Sequence, residues 1–508
     1  AEIQGVMSDI EKLTQDPETA EIGDRFKKIA EFAQRPNVNR LSQIATNFGF
    51  GWTMAYNISS AGLTFFDVGM SVMPLLQGKY GASSTARAFA DATKVLYGSP
   101  TFKMLTVTDE NGNKIKERYD LGAFGRSLGN VDFTDPASVP EGMQKYDVLA
   151  PYATQQAQLG QSLTQETLEI DMITGDTGSD VATRNARMLL ETSQKWGGAM
   201  FHHSERYGRE VSLIAAYDLE INKISNGGKK AITDADKQAA AEAAVDFVEF
   251  TLGGTASAGR PVYAQGPIGN VLFLFKRFAI SKYYMMARMV EDATRLKPRN
   301  EYGTEEAYQE AVLNRRVARQ QLASFLITVG LIAGYSGMPL WGELGIIYDG
   351  FADDDEDNWD TAWKKWTGDP LYGGLVGMSG LAIGERIALN NLLYRPPLIE
   401  KEQNVLWTIA EQLGGPVIGI TSQMSRAVNL MSEGEYQRGI EAIAPAAVRN
   451  VLKAGRYTDE GNLTMRGNDI TSVSPFTIVG QLMGFSGREH IDQLNMNRND
   501  KVCCHAGP

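Results

Sequence analysis

The chain has 508 residues, 43% of them hydrophobic and 22% charged, which is enough to bury a large core and indicates roughly two to four domains. Its net charge of −12 excludes a protein that wraps the phosphate backbone of nucleic acid by charge alone. Its two cysteines are the neighbours Cys503 and Cys504, which rarely meet disulfide geometry, so a disulfide-stapled fold is excluded and assembly in a reducing cytoplasm is expected.

The N-terminal region, residues 1–99, is predicted to be helical. No residue between 41 and 66 is charged, but Gly, Ser and Asn interrupt this apolar stretch. A buried core element is the simpler interpretation, and membrane insertion is the alternative. Three aromatic residues are the membrane candidates here: Trp52, Phe65 and Phe66.

Residues 100–150 differ from the helical pattern on either side. Two β-prone runs flank Asn111-Gly112, a dipeptide that favours the tight turn of a hairpin. The sequence therefore predicts a small β-hairpin near residues 104–119. The rest of the stretch, with Pro136 and Pro140, has the composition of a loop, and we interpret the whole as an insertion into a helical chain.

The middle region, residues 151–300, returns to a helical pattern. An Ala-rich run at 239–244 favours helix, and Gly and Pro residues break the pattern between 253 and 267. The helix that begins near Val271 is apolar around most of its circumference. Such a helix needs deep burial or a partner.

The next region, residues 301–400, is predicted to be an apolar helical region with an acidic loop. Residues 320–342 carry no charge and are long enough to cross a bilayer. A buried core hairpin, broken between Gly334 and Pro339, is the simpler alternative. The membrane candidates of this stretch are Leu322, Phe325, Leu326, Ile327, Val329, Leu331, Ile332 and Trp341.

An acidic run and three tryptophans follow. Calcium binding by Asp353–Asp357 is disfavoured because Asn358 stands where an EF-hand loop needs Gly, so a solvated acidic loop is expected. Tryptophans at 359, 363 and 366 share one helix face, which is typical of a core and also compatible with an interfacial surface.

The C-terminal region, residues 401–508, is predicted to contain further helices and a loose tail. It includes a locally basic stretch, which either contacts nucleic acid or, more simply, forms ion pairs with glutamates on the helix surface. The basic contact candidates are Arg438, Arg449, Lys453, Arg456 and Arg466.

The sequence contains no catalytic, cofactor-binding or metal-binding set. His202, His203 and Glu205 offer too few ligands for zinc. No phosphate-binding loop, nucleophile elbow or zinc-protease motif occurs, and no carboxylate pair is bracketed in a cleft. We therefore expect no enzyme activity and no cofactor. Because the first residue is Ala1, we expect a processed chain or a piece of a longer protein, with any catalytic domain upstream.

Three segments, in order along the chain, resemble the large polyvalent proteins of short-tailed bacteriophages, a family related to giant internal virion proteins. They are residues 201–217 (FHHSERYGREVSLIAAY), 269–277 (GNVLFLFKR) leading into a Tyr/Met-rich helix, and 439–467 (GIEAIAPAAVRNVLKAGRYTDEGNLTMRG). The resemblance spans about residues 40–470 and rests on the order and spacing of loose motifs.

The resemblance implies an internal virion protein of the ejection type, corresponding to the carboxy-terminal region of a longer chain. It would be packaged inside the capsid, leave with the genome, and help to form a conduit for DNA across the host envelope, in the periplasm and inner membrane. The partners it implies are other ejection and core proteins, sister copies in a homo-oligomer, the host membrane and, non-specifically, the phage DNA.

From the residues and the resemblance together, we expect a mainly α protein, an extended multi-helix assembly with the small hairpin insertion. Two other functions stay open. A peptidoglycan-degrading or other enzymatic module would need a pocket of converging carboxylates or histidines. An integral membrane channel would need detergent for solubility.

Overall fold

The structure is a computed structural model. It describes residues 51–97, 103–108, 114–119, 127–159, 181–253, 276–348, 359–383, 415–463 and 469–490, with short gaps inside several of these ranges, and isolated residues at 20, 23, 27 and 49.

The described residues are mainly helical, as predicted. Their helices are α1 (Ile58–Asp67), α2 (Met73–Tyr80), α3 (Ala82–Tyr97), α4 (Leu149–Gln155), α5 (Val181–Ile224), α6 (Asp234–Leu252), α7 (Lys276–Thr294), α8 (Glu305–Ala333), α9 (Trp359–Thr367), α10 (Asp369–Gly377), α11 (Gly415–Ser432), α12 (Tyr436–Ile443), α13 (Ala446–Asp459) and α14 (Pro475–Leu482). A π-helical turn, Val68–Val72, joins α1 to α2, so that residues 58–80 run as one continuous helix.

Two short antiparallel strand pairs accompany the helices. The strand β1 (Lys103–Thr108) pairs with β2 (Lys114–Tyr119), and β3 (Asn462–Leu463) pairs with β4 (Asp469–Thr471). The first pair coincides with the residues for which the sequence predicts a hairpin. This backbone pairing does not by itself support an inserted unit, so the insertion stays a prediction.

The main hydrophobic core forms around the C-terminal half of α5. Every residue from Val211 to Tyr217 is buried, so other elements enclose this part of the helix on all sides. Helices α1, α3 and α6 pack against it. The small side chains of Ala240 and Ala244 let α6 approach closely, which explains the Ala-rich run in the sequence.

Residues 127–159 also contribute to this core. Leu128, Met143, Tyr146 and Leu149 are almost completely buried among the core side chains. They lie on short helical turns between prolines, which is why the sequence indicated only loop and showed no periodic apolar pattern. The core therefore unites residues from the first three predicted regions, and the boundaries of the five regions stay predictions.

A second core lies between α2, α7 and α8. Its buried side chains come from all three helices: Leu75, Met285, Met289, Phe325 and Val329. Helices α2 and α8 cross so closely that a Cβ atom on Gly78 would lie 2.5 Å from the Cα of Gln321. Helix α7 is thus buried on one face, while Tyr284 on another face is exposed.

Three acidic side chains of α5 bind segments distant in sequence. Their hydrogen-bond donors are Ser127 and the Leu128 amide for Glu210, Lys145 and Tyr146 for Asp218, and Lys79 and Tyr80 for Glu220. Hydrogen bonds to charged groups are about twice as strong as neutral ones. These contacts therefore fix the segment after the strands, the short turn before α4 and the end of α2 onto a single helix.

Glu210 is expected to make the stability of the fold depend on pH. Burial raises the pKa of Glu210 to about 7, although Ser127, Arg206 and the Leu128 amide favour its charged form. A group with a raised pKa stabilises the folded state fully below its unfolded pKa, and this contribution is lost as the pH rises through the folded pKa. The stability of the fold should therefore fall as the pH rises from about 4.5 to about 7.

We expect Glu210→Gln to remove this part of the pH dependence. Relative to the wild-type chain, the variant should gain about 1–3 kcal/mol of unfolding free energy between pH 5 and pH 8, because the uncharged amide needs no ionisation in the core. Urea unfolding at several pH values measures this difference. The exposed Glu249→Gln is the control, and parallel pH profiles for Glu210→Gln and the wild-type chain would contradict the prediction.

Candidate functional site

One helix in the described part of the chain has the length and composition to span a bilayer. It is Ile58–Tyr80, with 23 residues, and half of its most apolar window is buried inside the protein. Length and composition do not distinguish a membrane helix from a core helix. This helix overlaps the end of the apolar stretch at 41–66, whereas the stretch at 320–342 does not meet the same criteria.

The membrane candidates of the 320–342 stretch lie at the end of α8 and just beyond it. Phe325, Val329 and Trp341 are buried, and Leu322, Leu326 and Ile332 are partly buried against the second core. Ile327 and Leu331 are exposed on the opposite side of the helix. The helix ends at Gly334, which has a φ of 70° and so begins the break expected between Gly334 and Pro339.

The aromatic candidates near the N-terminus are less buried. Trp52 and Phe66 are partly buried, and Phe65 is exposed. The ring of Phe65 lies 5.1 Å from that of Tyr207, so it covers the side of α5. Phe65 therefore lies where α1 contacts α5, whereas Phe66 packs against the second core.

A buried ion pair crosses the candidate span at its centre. The Nζ atom of Lys282, in α7, lies 2.7 Å from the Oδ1 atom of Asp67 and donates to the hydroxyl of Ser71 at 3.0 Å. It also donates to the carbonyl of Thr251 at 2.6 Å, at the end of α6. Lys282 has no solvent exposure. Burial lowers the pKa of Lys282, and the adjacent carboxylate of Asp67 opposes that effect.

This pair was not predicted, although the sequence contains a signal for it. Asp67 is the only charged residue between positions 41 and 78, and Lys282 stands alone in the apolar run from 278 to 287. A single charge in each of two apolar segments indicates an internal ion pair, because an unpaired buried charge is very costly.

Aromatic side chains form a cluster where α8, α9 and α10 meet. The ring of Trp341 lies 4.9 Å from that of Trp359 and 5.4 Å from that of Trp363, and Tyr335 stacks on the same ring. Trp366 touches Trp363 at the outer edge and is 76% exposed. The tryptophan face predicted from sequence is therefore part core and part surface.

Apolar residues next to this cluster are left uncovered. We define the apolar surface as the exposed side chains of α9, α10 and the residue that follows α10: Trp366, Leu371, Leu375 and Met378. An exposed Trp and three exposed aliphatic side chains within one short stretch of the chain are unusual on a protein that acts as a monomer. This surface is thus a candidate for contact with another molecule.

The basic candidates of the C-terminal region divide into two kinds. Arg438 pairs with Glu435 at 3.6 Å, and the buried Arg456 pairs with Glu441 through contacts of 2.7 and 3.2 Å. Within the described part of the chain, Arg449 and Lys453 have no ion pair. Arg466 lies outside the described residues.

The histidines near the start of the family-like segment sit on α5. Burial, together with the charges of His203 and Arg206, lowers the pKa of His202 to about 4. Glu205 lies 3.7 Å from the Nε of Arg209. The described ranges contain no group of three or more side chains that could hold a metal ion. The acidic run at 353–357 and the cysteine tail lie outside them.

Comparisons with known proteins gave no match: no protein-family model, no curated protein and no solved structure is similar to this chain. The resemblance to virion proteins therefore stays a prediction that rests on the residues quoted above.

We expect the Lys282–Asp67 pair to be essential for the fold. Lys282→Met leaves Asp67 charged in a mostly buried site, which should lower the free energy of unfolding by about 3–5 kcal/mol. The double variant Lys282→Met/Asp67→Asn should be more stable than Lys282→Met, because the amide introduced at position 67 carries no charge and still accepts the hydrogen bond from Ser71.

Urea unfolding of Lys282→Met, Asp67→Asn, the double variant and the exposed control Lys94→Met measures this coupling. Lys94 lies 4.0 Å from Asp91 on the surface, so its loss should change little. If the double variant loses as much unfolding free energy as the two single variants together, Lys282 and Asp67 are not coupled, and the pair is not essential for the fold.

Proposed function

We propose that this chain is a structural internal virion protein that is ejected with a phage genome and helps to form a conduit for DNA across the host cell envelope. It acts by assembly with sister copies and with other ejection and core proteins. The observation that carries the proposal is the uncovered apolar surface of Trp366, Leu371, Leu375 and Met378, beside a mainly helical body.

The apolar surface favours a protein partner because it is held in place before binding. Trp366 packs edge-on against Trp363 at 5.1 Å, and Trp363 in turn contacts the buried Trp341. A side chain already fixed by its neighbours loses little conformational entropy when it binds. Aromatic anchors of this kind dominate the free energy of many protein interfaces.

Membrane contact enters the proposal as a conditional property. The Ile58–Tyr80 helix is apolar enough to enter a bilayer, but Asp67 stands near its middle and is bound to Lys282. A charged Asp at the centre of a bilayer costs roughly 2.5–3.5 kcal/mol or more. The pair therefore favours the folded, packaged form, and insertion into the host membrane requires Asp67 to be neutralised or to keep its partner.

The contact proposed with phage DNA is weak and non-specific. Two of the basic candidates, Arg438 and Arg456, are engaged by Glu435 and Glu441, and the chain as a whole carries a charge of −12. A chain whose acidic residues outnumber its basic ones binds the phosphate backbone only weakly. This is what a conduit needs if DNA is to slide through it.

Two other functions predict different behaviour. An integral membrane channel would be insoluble without detergent, and a peptidoglycan-degrading module would show turnover. The half-buried state of the Ile58–Tyr80 helix and its buried ion pair favour the conditional membrane role over a permanent channel.

We also propose that the hairpin near residues 104–119 is an insertion on an otherwise helical chain. Excision of residues 100–122 should then leave the cooperative unfolding transition in place. Loss of that transition would show that the hairpin is part of the core.

The assembly proposal predicts that the apolar surface controls self-association. Trp366→Ser/Leu375→Ser should weaken the association of purified chains at least tenfold, because both side chains would lie in the centre of the contact. Sedimentation velocity over a range of concentrations measures it. The control is Leu313→Ser, a similarly exposed leucine on α8, away from the surface.

The double variant and the Leu313→Ser control should both keep the wild-type melting temperature, because the replaced side chains are exposed. Wild-type chains that stay monomeric at every concentration, or a double variant that associates as the wild-type chain does, would contradict self-assembly through this surface.

A further inference from the structure

Four cations converge on one face of the C-terminal helices. Arg449, Lys453 and Arg456 lie on α13, the first two at a spacing of four residues that places them on one side of the helix. Helix α11 packs on α12, which packs on α13, and the charge of Arg426 on α11 acts on both Arg449 and Lys453. Two carboxylates act on this group of four: Glu441, which Arg456 binds, and Glu460, whose charge also acts on Arg456.

The group therefore has an excess of positive charge in a partly buried place. Arg426, Arg449 and Lys453 have no ion pair within the described part of the chain. Burial and the neighbouring cations lower the pKa of Lys453 to about 8. Clustered, partly desolvated cations repel one another, so they destabilise the fold unless an anion joins them.

A second, independent observation points to the missing ligand. Tyr457 is only 4% exposed, and its buried hydroxyl has no hydrogen-bond partner in the described structure. The Nζ of Lys453 lies 5.5 Å from the centre of the Tyr457 ring, and the guanidinium of Arg456 lies 5.4 Å from it. A buried hydroxyl without a partner is costly, and here it belongs to a ring that lies beside two of the cations.

We propose that Arg426, Arg449, Lys453 and Tyr457 form a binding site for a single phosphate-type oxyanion, such as a phosphomonoester. The three cations and the phenol have no carboxylate of their own, since Glu441 is bound by Arg456, whereas a phosphate dianion offers three strong acceptor oxygens. Arg449 and Lys453 are partly buried and Arg426 is exposed at the edge, so the group suits one compact anion better than the long backbone of a duplex. This site does not depend on the function proposed above.

The most specific variant is Tyr457→Phe. Without ligand, this variant should be as stable as the wild-type chain or more stable, because it removes an unsatisfied buried hydroxyl. With ligand, it should bind phosphate about fivefold more weakly, which corresponds to the loss of one hydrogen bond. Lys453→Met and Arg449→Met should each weaken binding at least tenfold, since a charge-assisted contact is lost.

Binding is measured by isothermal titration of the full chain with inorganic phosphate, at constant ionic strength. The matched control is Arg438→Met. Arg438 lies on the adjacent α12 and pairs with Glu435, so this variant should bind phosphate as the wild-type chain does. Wild-type binding that is lost in Lys453→Met and kept in Arg438→Met supports the site. Absence of phosphate binding by the wild-type chain overturns it.

Two further comparisons distinguish the sources of the anion. An oligonucleotide with a 5′-phosphate is compared with the same strand ending in a 5′-hydroxyl, and vesicles containing phosphatidic acid are compared with phosphatidylcholine vesicles. Preference for the terminal phosphate in either pair supports the site and names its source. Equal, Lys453-dependent binding of both oligonucleotides would overturn it in favour of a surface for the nucleic-acid backbone.

Discussion

The pairing of Lys282 with Asp67 is the constraint on which the arrangement of the helices depends. The Ile58–Tyr80 helix lies between two cores: Val68 and Val72 face the main core around α5, and Met70 and Leu75 face the second core with α7 and α8. The π-helical turn at Val68–Val72 changes the helical register and so serves both. Lys282 binds the start of this turn and the end of α6 at once, which joins the two cores at one buried point.

Under the proposed function, the same pair would hold the apolar helix in the protein until it meets a membrane. While Asp67 is ionised and bound, leaving the protein interior would break a buried ion pair and carry a charge into a bilayer, and both steps are costly. The ion pair thus keeps the helix in the protein interior, although most residues of the helix are apolar. The apolar surface near Trp366 is different, because it is already outside the core and can bind a partner without any rearrangement. Under the proposed function, assembly and membrane contact would therefore depend on separate parts of the chain.

Much of the helical architecture could be predicted from the sequence, because apolar periodicity and Ala content are local properties. The core role of Met143 and Tyr146 could not, since irregular turns between prolines place them there and only the tertiary contacts with α5 reveal it. Ion pairing of Arg438 and Arg456 was the simpler interpretation of the sequence, and both pairs occur. The grouping of Arg426 with Arg449 was not predictable, because the two lie on different helices and meet only after folding.

The most direct test of the proposed function is to locate the chain in phage particles before and after they release their DNA. Cryo-electron microscopy of full and emptied particles, with mass spectrometry of both, makes that comparison. The account predicts that the chain lies inside full particles and is absent from emptied ones. A chain that remains in the emptied shell in full amount would be a fixed capsid or tail component, and this would contradict the ejection function.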